Sequence, residues 1–590
     1  MMNKIFSIIV CLLLLVTGAK SQDTTNITDP YRITKYKPRF NPTPWDSIAA
    51  VAYNRYQSEN DSIQIATINN RIKDGTKDIE NTKSLLIDRC NIKSVSNDIT
   101  QLKNLETIIV NKCPELDLTI FLNQISSLPS LKYLELNGGR YAELPSSISS
   151  LKNLESLNIK NNKFKSLPTS LASMSKLSSL NLSNNPYLTE EEIITKTKDI
   201  ASLENLNLAY CQIFELTESI SELSSLKTLD LSYNNLTNVP VALKDLSKLE
   251  ELNLASNKSM NLPQVLIRLA ACSKLKSLNL SYNKFPSLPE EISLIKSLEE
   301  IYLTGNNIAE LPSKMGDLTN LKKIEYNVQD GAMRVRLTEL PSSFKKLLNL
   351  EYLSFSGHAI EKISAILKDK TQLKYLDISF NNLESIPSDI ATCTQLTHLD
   401  LGKNNITEIP TTIDALQELT YLNLDGNFFN KAAKKIKVLP EEIYNLKKLV
   451  TLSLNDNVIA ELNEKISNLK ELENLQVRDN LLAVLPSGIC NLKNLKVLNL
   501  KANELTALPK NLSKLTQLQD LNVAYNLKLD FNKEVLTIGQ IKSLKKLDVS
   551  YNKLQSLKEQ QLKDYLPGCE VLNSNLIEKK ESPLKSGNNR

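Results

Sequence analysis

The sequence predicts an α/β solenoid of about twenty repeats, whose short strands form one concave parallel sheet. A 23-residue pattern, L-x-x-L-x-L-x-x-N-x-L-x-x-L-P-x-x-L-x-x-L-x-x, returns from residue 82 to about residue 551. Its Leu-x-Leu step has the two-residue period of a strand, and its last part has the spacing of a helical turn. A fixed period in this range predicts one elongated stack of repeats in place of about four globular domains.

The Leu-x-Leu step predicts the strands of this sheet. In one copy, Leu229 and Leu231 flank Asp230. Alternate residues of a strand point to opposite faces, so both leucines enter the core and the residue between them faces outward. Stacked strands lie about 4.8 Å apart, and the outward positions of many repeats therefore form long rows on the concave face.

The ninth repeat position predicts a ladder of asparagines. A chain that turns after each strand leaves backbone groups to satisfy, and an Asn amide both donates and accepts. The position is held by Asn162, Asn185, Asn234, Asn257, Asn283, Asn306, Asn381, Asn404, Asn427, Asn457, Asn480, Asn503, Asn526 and Asn552. Cys90, Cys113 and Cys211 hold the same position in three other repeats.

The second half of each repeat predicts a short helical segment on the convex side. A Leu-Pro step fixes φ there, as at Pro168 and Pro486. Repeat lengths vary in this half. Repeats of 26 residues begin at Leu105, Leu177, Leu249 and Leu518, and longer ones, with insertions at about 330–336 and 430–437, begin at Leu321 and Leu419. Both insertions precede the Leu-Pro step, so we expect them at a loop edge, where they leave the sheet intact.

With its Leu-x-Leu step, ninth-position Asn and Leu-Pro step, the repeat resembles the leucine-rich repeat. It is similar to the 23-residue Leu-Pro class of plant Ras-group-related proteins, Ras-suppressor-like proteins and many bacterial secreted proteins. The resemblance covers residues 82–572, including a terminal closing turn. It implies a horseshoe that presents a surface for recognition.

The two ends of the chain do not repeat. Residues 1–21 predict a secretory signal, because a lysine precedes an apolar run and small residues precede Gln22 at the cleavage position. The apolar run is too short for a membrane span. No second apolar stretch approaches 18 residues, so no transmembrane segment is expected after signal removal. Residues 22–81 are expected to form an extended and helical N-terminal cap, and residues 573–590 a polar, disordered tail.

Composition and motifs argue against catalysis and cofactors. The chain has two histidines, His358 and His398, at different repeat positions, and no phosphate-binding loop, zinc motif or nucleophile elbow. A net charge of +5 with interleaved signs does not predict a nucleic-acid partner. The expectation is therefore a protein that is not an enzyme and carries no cofactor or metal.

The cysteines do not predict a disulfide framework. Seven follow the signal segment, three of them at the asparagine position and three in convex segments. An odd number scattered along a solenoid indicates mostly buried thiols. A Cys90–Cys113 bridge between adjacent turns is the alternative.

The third repeat position supplies the candidate binding residues. In four consecutive repeats it is aromatic, as Tyr352, Tyr375, His398 and Tyr421, and Asp377 and Asp400 lie beside these rings at the fifth position. On adjacent strands the rings would form a ladder, and tyrosines are favoured at interfaces. The alternative is neutral cross-strand pairing that only stabilises the sheet. Six aromatic residues at the eighth position are interpreted as edge packing: Tyr210, Tyr233, Tyr282, Phe380, Tyr525 and Tyr551.

The sequence thus favours a non-catalytic, secreted interaction module that binds a protein or peptide on its concave face, with a glycan as a second ligand class. Localisation would be secreted, periplasmic or at the cell surface, and a bacterial envelope is preferred because no cap with paired cysteines is visible. Two alternatives stay open. One is a structural or adhesive surface protein with distributed contacts, and the other is an intracellular-type signalling scaffold if the signal segment is not cleaved.

Overall fold

In the computed structural model, which describes residues 82–328, 335–426, 435–552, 554 and 556–574, each repeat contributes one short parallel strand. Consecutive strands pair in register from the first to the last, so the described residues form one open 21-stranded sheet. The strands β1 to β21 are Ser84–Asp88, Thr107–Asn111, Tyr133–Asn137, Ser156–Asn158, Ser179–Asn181, Asn205–Asn207, Thr228–Asp230, Glu251–Asn253, Ser277–Asn279, Glu300–Tyr302, Lys323–Glu325, Tyr352–Ser354, Tyr375–Asp377, His398–Asp400, Tyr421–Asn423, Thr451–Ser453, Asn474–Gln476, Val497–Asn499, Asp520–Asn522, Lys546–Asp548 and Glu570–Leu572.

The core lies behind this sheet, as the Leu-x-Leu step predicts. Leu376 in β13 is fully buried and pairs with Leu353 and Leu399 on the neighbouring strands. Apolar residues of the convex segments complete a single continuous core through the described repeats. The predicted α/β solenoid is confirmed.

Most convex segments are 3-10 helices, and in ten of them a proline immediately precedes the first residue. Pro289, for example, has φ −70° and ψ 157°, which is the extended conformation that its ring favours. These helices are Asn97–Gln101, Ser146–Ser150, Thr169–Ser173, Glu218–Glu222, Val241–Asp245, Glu290–Leu294, Ser313–Asp317, Ser342–Lys346, Ser388–Thr392, Thr411–Ala415, Glu441–Asn445, Glu464–Asn468, Ser487–Asn491 and Leu512–Lys514.

The 26-residue repeats replace the 3-10 helix by an α-helix. The α-helices α1 to α6 are Leu118–Ile125, Glu190–Thr197, Leu262–Leu269, Ser364–Leu367, Phe531–Gly539 and Ser556–Tyr565. Helices α1, α2, α3 and α5 belong to the four 26-residue repeats. Eight residues at about 1.5 Å each span nearly the same length as five at about 2.0 Å, so three extra residues are absorbed without lengthening the convex side.

The two longest repeats leave the sheet unbroken. Lys323 of β11 pairs with Tyr352 of β12, and Tyr421 of β15 pairs with Thr451 of β16. The prediction that the insertions spare the sheet is therefore confirmed, although most residues of both insertions lie outside the described residues. Outside them too lie the signal segment, the cap and most of the C-terminal tail.

Asparagines at the ninth position tie each repeat to the one before it. Asn404 Nδ2 donates to the carbonyl of Leu401 in its own turn and to that of Ile378 in the preceding repeat, both at 2.9 Å. Its Oδ1 accepts the Leu383 N–H at 2.9 Å. The other predicted members, except Asn427, which lies outside the described residues, make the corresponding bonds to the preceding repeat. After 26-residue repeats, Asn283 and Asn552 accept instead from the N–H groups of Asn257 and Asn526. We call this set the asparagine ladder.

Charged residues at the strand entrances alternate in sign across neighbouring repeats. Lys322 pairs with Glu299 at 2.7 Å, and Lys374 pairs with Glu351 at 2.7 Å.

Within the described part of the chain, no helix is both long enough and apolar enough to span a membrane.

Candidate functional site

Four rings stack across strands β12 to β15, and we call Tyr352, Tyr375, His398 and Tyr421 the ring ladder. Their centroids are separated by 4.2, 4.3 and 4.1 Å, with interplanar angles of 6°, 8° and 2°. In-register pairing of the strands brings the rings together, because equivalent residues lie directly opposite one another. The rings face each other, so the ladder presents ring edges on the concave face, while the Tyr421 hydroxyl itself is buried.

Each ring of the ladder is partly exposed. Burial lowers the pKa of His398 to about 4, so the imidazole is neutral. Burial, reinforced by the nearby Asp377 carboxylate, raises the pKa of the Tyr375 hydroxyl above its ordinary value. The buried leucines between successive concave residues hold the backbone beneath the ladder.

Two carboxylates lie beside the ladder on neighbouring strands, and we call Asp377 and Asp400 the carboxylate pair. Asp377 Oδ1 accepts the N–H and hydroxyl of Ser379 at 2.9 and 2.6 Å. Asp400 Oδ1 accepts the Gly402 N–H at 3.0 Å and Asn423 Nδ2 at 2.9 Å. Gly402 permits this approach, because a Cβ there would lie 2.6 Å from Asn423 Nδ2.

Burial and mutual repulsion make the carboxylate pair hard to ionise. Burial raises the pKa of Asp377, and burial together with the charge on Asp377 raises the pKa of Asp400 to about 8. Asp400 is therefore mostly protonated at neutral pH. All six candidate binding residues lie within four consecutive strands.

A lysine covers the first ring of the ladder. Lys323 Nζ lies 4.3 Å from the centroid of Tyr352 and 4.6 Å from that of Tyr302. The same amine lies 3.5 Å from a carboxylate oxygen of Glu325. At one end of the ladder, a basic side chain therefore already contacts both an aromatic ring and a carboxylate. Lys323 is not among the residues predicted from the sequence.

The fifth-position row is less exposed than the sequence predicts. The expectation that this row faces solvent is wrong for its buried members, which are Glu135, Asn158, Asn181, Asp230, Asn253, Tyr302, Glu325, Ser354, Asn423, Ser453, Gln476 and Asn499. Neighbouring side chains bond laterally and exclude water: Asn158 Nδ2 donates to Glu135 Oε2 at 3.0 Å, and Asn499 Nδ2 donates to Gln476 Oε1 at 2.8 Å. Asp377 and Asp400 stay partly exposed.

Aromatic residues at the eighth position also stack, but at the turn edge. Tyr210 and Tyr233 stack at 4.2 Å, and Tyr525 and Tyr551 at 4.0 Å. All four have left-handed backbones, with φ between 55° and 64°. These pairs are separated along the stack and do not extend the ring ladder.

A buried histidine fills a place in the asparagine ladder that the sequence analysis missed. His358 Nδ1 accepts the Leu337 N–H at 3.3 Å, and Nε2 lies 2.8 Å from the Tyr326 carbonyl, which it must reach as the donor. Burial lowers the His358 pKa to about 4. The signal was in the sequence, because His358 precedes Asn381 by 23 residues. In the repeat before it, the Tyr326 hydroxyl takes the acceptor role and receives the Ile308 N–H at 2.9 Å.

The seven cysteines of the described residues are free thiols, five of them buried. The prediction of mostly buried thiols is confirmed, and the alternative Cys90–Cys113 bridge is not formed. Cys90 N–H donates to Cys113 Sγ at 3.3 Å. In the described ranges, no cluster of three His, Cys, Asp or Glu side chains could hold a metal ion.

Comparison with solved structures shows the same fold. The TLR13–ssRNA13 complex is 22% identical, covers 87% of this chain and 83% of its own, and gives a TM-score of 0.57. A leucine-rich repeat protein of Leptospira interrogans is 24% identical, with coverage of 85% and 97% and a TM-score of 0.41. The Arabidopsis receptor kinase HAESA, in complex with the peptide hormone IDA and the co-receptor SERK1, is 24% identical, with coverage of 82% and 86% and a TM-score of 0.47.

Family models match the sequence over most of its repeats. The model described as "Leucine-rich repeat region" matches residues 81–207 and 428–580. Two models described as "Leucine rich repeat" match residues 201–258 and 371–429, and residues 274–294. No curated protein matches the sequence. Together the family models cover more than half of the chain, and the protein belongs to the leucine-rich repeat family.

Proposed function

We propose that this protein is a non-catalytic, secreted recognition module that binds a protein or peptide on its concave face. The ring ladder and the carboxylate pair form the proposed contact centre. The observation that carries the proposal is the unbroken stack of four rings, whose centroids are 4.1 to 4.3 Å apart.

The physical argument for this surface is preorganisation. Stacking fixes each ring against its neighbours, so a partner need not immobilise these side chains when it binds. Tyrosine edges offer apolar contact together with a hydroxyl, which is the combination enriched at interaction hot spots. The leucines beneath the rings are buried and hold the strands in register.

Secretion is proposed from residues 1–21 of the sequence. The absence of a nucleic-acid partner stays a prediction, because TLR13 in the similar structure is bound to ssRNA. A glycan stays the second ligand class. The fold is typically an interaction module, and a non-enzymatic role is part of the proposal.

The test is a capture experiment on the envelope and culture medium of the source organism. Full-chain protein is compared with Tyr375→Ala/Tyr421→Ala, which removes two rings of the ladder. We expect wild type to retain a partner that the double variant loses, and the captured partner, once purified, to bind wild type at least about tenfold more tightly.

A matched control is Tyr525→Ala/Tyr551→Ala, which removes a stacked tyrosine pair from the turn edge of another part of the sheet. The control should capture the partner as wild type does. Equal capture by the ring-ladder variant would move the site elsewhere. Loss in both double variants would favour the structural or adhesive role with distributed contacts.

A further inference from the structure

The charged residues beside the ring ladder are arranged differently from those in the rest of the sheet. Residues at the strand entrances alternate in sign, as in the Lys374–Glu351 pair at 2.7 Å. Along the fifth-position row of the described strands, Asp377 and Asp400 are the one place where acids occupy neighbouring strands. Like charges directly opposite each other destabilise a sheet, so this arrangement costs stability unless something neutralises it.

Nothing in the described part of the chain supplies a counter-charge to this pair. Two other acids of the row are paired with cations: Glu135 with Lys160 at 3.5 Å, and Glu325 with Lys323 at 3.5 Å. No lysine, arginine or histidine of the described residues forms an ion pair with Asp377 or Asp400.

The two carboxylates are also oriented for an external donor. Backbone N–H groups of Ser379 and Gly402 hold the Oδ1 atoms. Asp377 Oδ2 receives only a long bond from Ser354 Oγ at 3.5 Å, and Asp400 Oδ2 receives none from the described residues. Both side chains are partly exposed beside the ring edges.

Lys323 shows which chemistry suits such a place. Its amine combines the face of Tyr352 at 4.3 Å with the carboxylate of Glu325 at 3.5 Å. Two strands further along, the rings and acids continue without such a lysine. A basic side chain from outside would supply there the cation that Lys323 supplies to Glu325, and it would meet ring edges, because stacking covers the faces between the rings.

We propose that the partner presents a basic side chain, arginine in preference to lysine, whose stem packs along the ring edges and whose head pairs with Asp377 and Asp400. A guanidinium carries five donors in a fixed plane and can bond two carboxylates at once, which an ammonium does less well. This inference rests on the proposed function and names the partner chemistry of the same site.

The test is a selection from a displayed library of random short peptides on the immobilised full-chain protein. The variant is Asp377→Asn/Asp400→Asn, which keeps the Oδ1 acceptors and removes both ionisable carboxyl groups. The matched control is Asp389→Asn/Asp414→Asn, which removes two acids from the 3-10 helices of the convex side. We expect wild type and control to enrich arginine-containing peptides, and the Asp377→Asn/Asp400→Asn variant to bind them at least about tenfold more weakly.

Citrulline-substituted versions of the selected peptides provide a second measurement on wild type, which stays decisive if the double Asp variant misfolds. Citrulline keeps the shape of arginine without its charge, and we expect a similar loss of affinity. Selected peptides that lack basic residues, or that tolerate citrulline, overturn the inference. If such peptides still lose binding to Tyr375→Ala/Tyr421→Ala, the proposed function survives. Absence of any enrichment by wild type over the Asp377→Asn/Asp400→Asn variant overturns the inference as well.

Discussion

The asparagine ladder and the ring ladder cross the same strands, yet they serve the molecule differently. In the asparagine ladder, Asn381 is buried and every bond is internal: Nδ2 donates to the Phe355, Ile378 and Ser379 carbonyls, and Oδ1 accepts the Ile360 N–H. In the ring ladder, Tyr375 is partly exposed and lies beside acids that have no cation among the described residues. All polar bonds of the asparagine ladder are internal, whereas the ring ladder keeps exposed ring edges beside two acids, which we propose contact a partner.

Because the two ladders differ in this way, contributions to stability and to the proposed recognition can be tested separately in this repetitive fold. Every repeat needs its turn bonds, so the asparagine ladder recurs along the solenoid. The ring ladder with its two neighbouring acids serves no such need, and among the described strands it occupies β12 to β15. Changes in the two ladders should therefore move different measurements.

The largest expected effect comes from breaking the asparagine ladder within the window of the rings. Asn381→Ala removes four hydrogen bonds between 2.8 and 3.1 Å and leaves their backbone partners buried. We expect the free energy of unfolding to fall by about 3 to 5 kcal/mol, measured by urea denaturation. The control Asn382→Ala changes an exposed neighbour and should cost less than about 0.5 kcal/mol. Equal losses for the two variants would contradict the distinction between the ladders.

The second effect is a pH dependence that arises beside the ring ladder. The pKa of Asp400 is raised to about 8 in the folded protein, above about 3.9 for an unfolded aspartate. The folded state therefore holds more protons between these values, and stability falls as pH rises through this window. Asp377 and Asp425 strengthen the effect, because both lie near enough to repel the ionised Asp400.

Asp400→Asn cannot titrate and keeps the Oδ1 acceptor for Gly402 and Asn423. The stability lost between pH 5 and pH 9 should therefore be smaller in the variant than in wild type, by about 1 to 3 kcal/mol. Urea midpoints at several pH values measure it. Asp414→Asn, on the convex side, should follow the wild-type pH profile. A variant profile parallel to wild type would show that Asp400 is ionised in the folded protein at neutral pH.

Much of the fold could be predicted from the sequence because each repeat solves the same packing problem. The Leu-x-Leu step predicts both the strands and the register that brings Tyr375 beside His398. The exposure of the fifth-position row could not be predicted, since it depends on lateral bonds such as that between Asn158 and Glu135. The conformation of the three extra residues in the 26-residue repeats could not be predicted either, because a longer repeat can form a loop or, as in α1, an α-helix.

Three residues with roles in or beside the two ladders are not among those predicted from the sequence. Tyr326 lies at another repeat position than the ladder asparagines, and its hydroxyl accepts a backbone N–H in place of an asparagine amide. His358 lies at the ladder position, but an imidazole nitrogen takes the place of the amide oxygen. Lys323 could not be predicted, because its role depends on contacts with Tyr352 and Glu325, which belong to different rows of the sheet. The 23-residue spacing to Asn381 marks His358 as a ladder position, whereas the contacts of Tyr326 and Lys323 have no periodic signal.

The smallest expected effect at neutral pH concerns the two histidines, one in each ladder. Both have pKa values lowered to about 4 by burial, so the unfolded chain, with a pKa of about 6.5, binds protons first as pH falls. Each histidine therefore costs stability as pH falls from about 6.5 toward 4. His358→Asn restores the residue type that this ladder position favours, and it should change stability by less than about 1 kcal/mol at pH 7.

At pH 5 the same variant should be more stable than wild type by about 1 to 2 kcal/mol, because one of the two acid-sensitive groups is gone. His398→Asn is the matched change in the ring ladder. It also removes an acid-sensitive group, but it interrupts the stack between Tyr375 and Tyr421 and should weaken partner binding. Binding that survives His398→Asn and is lost in His358→Asn would reverse the assignment of the two ladders, since recognition would then depend on the buried turn and not on the exposed rings.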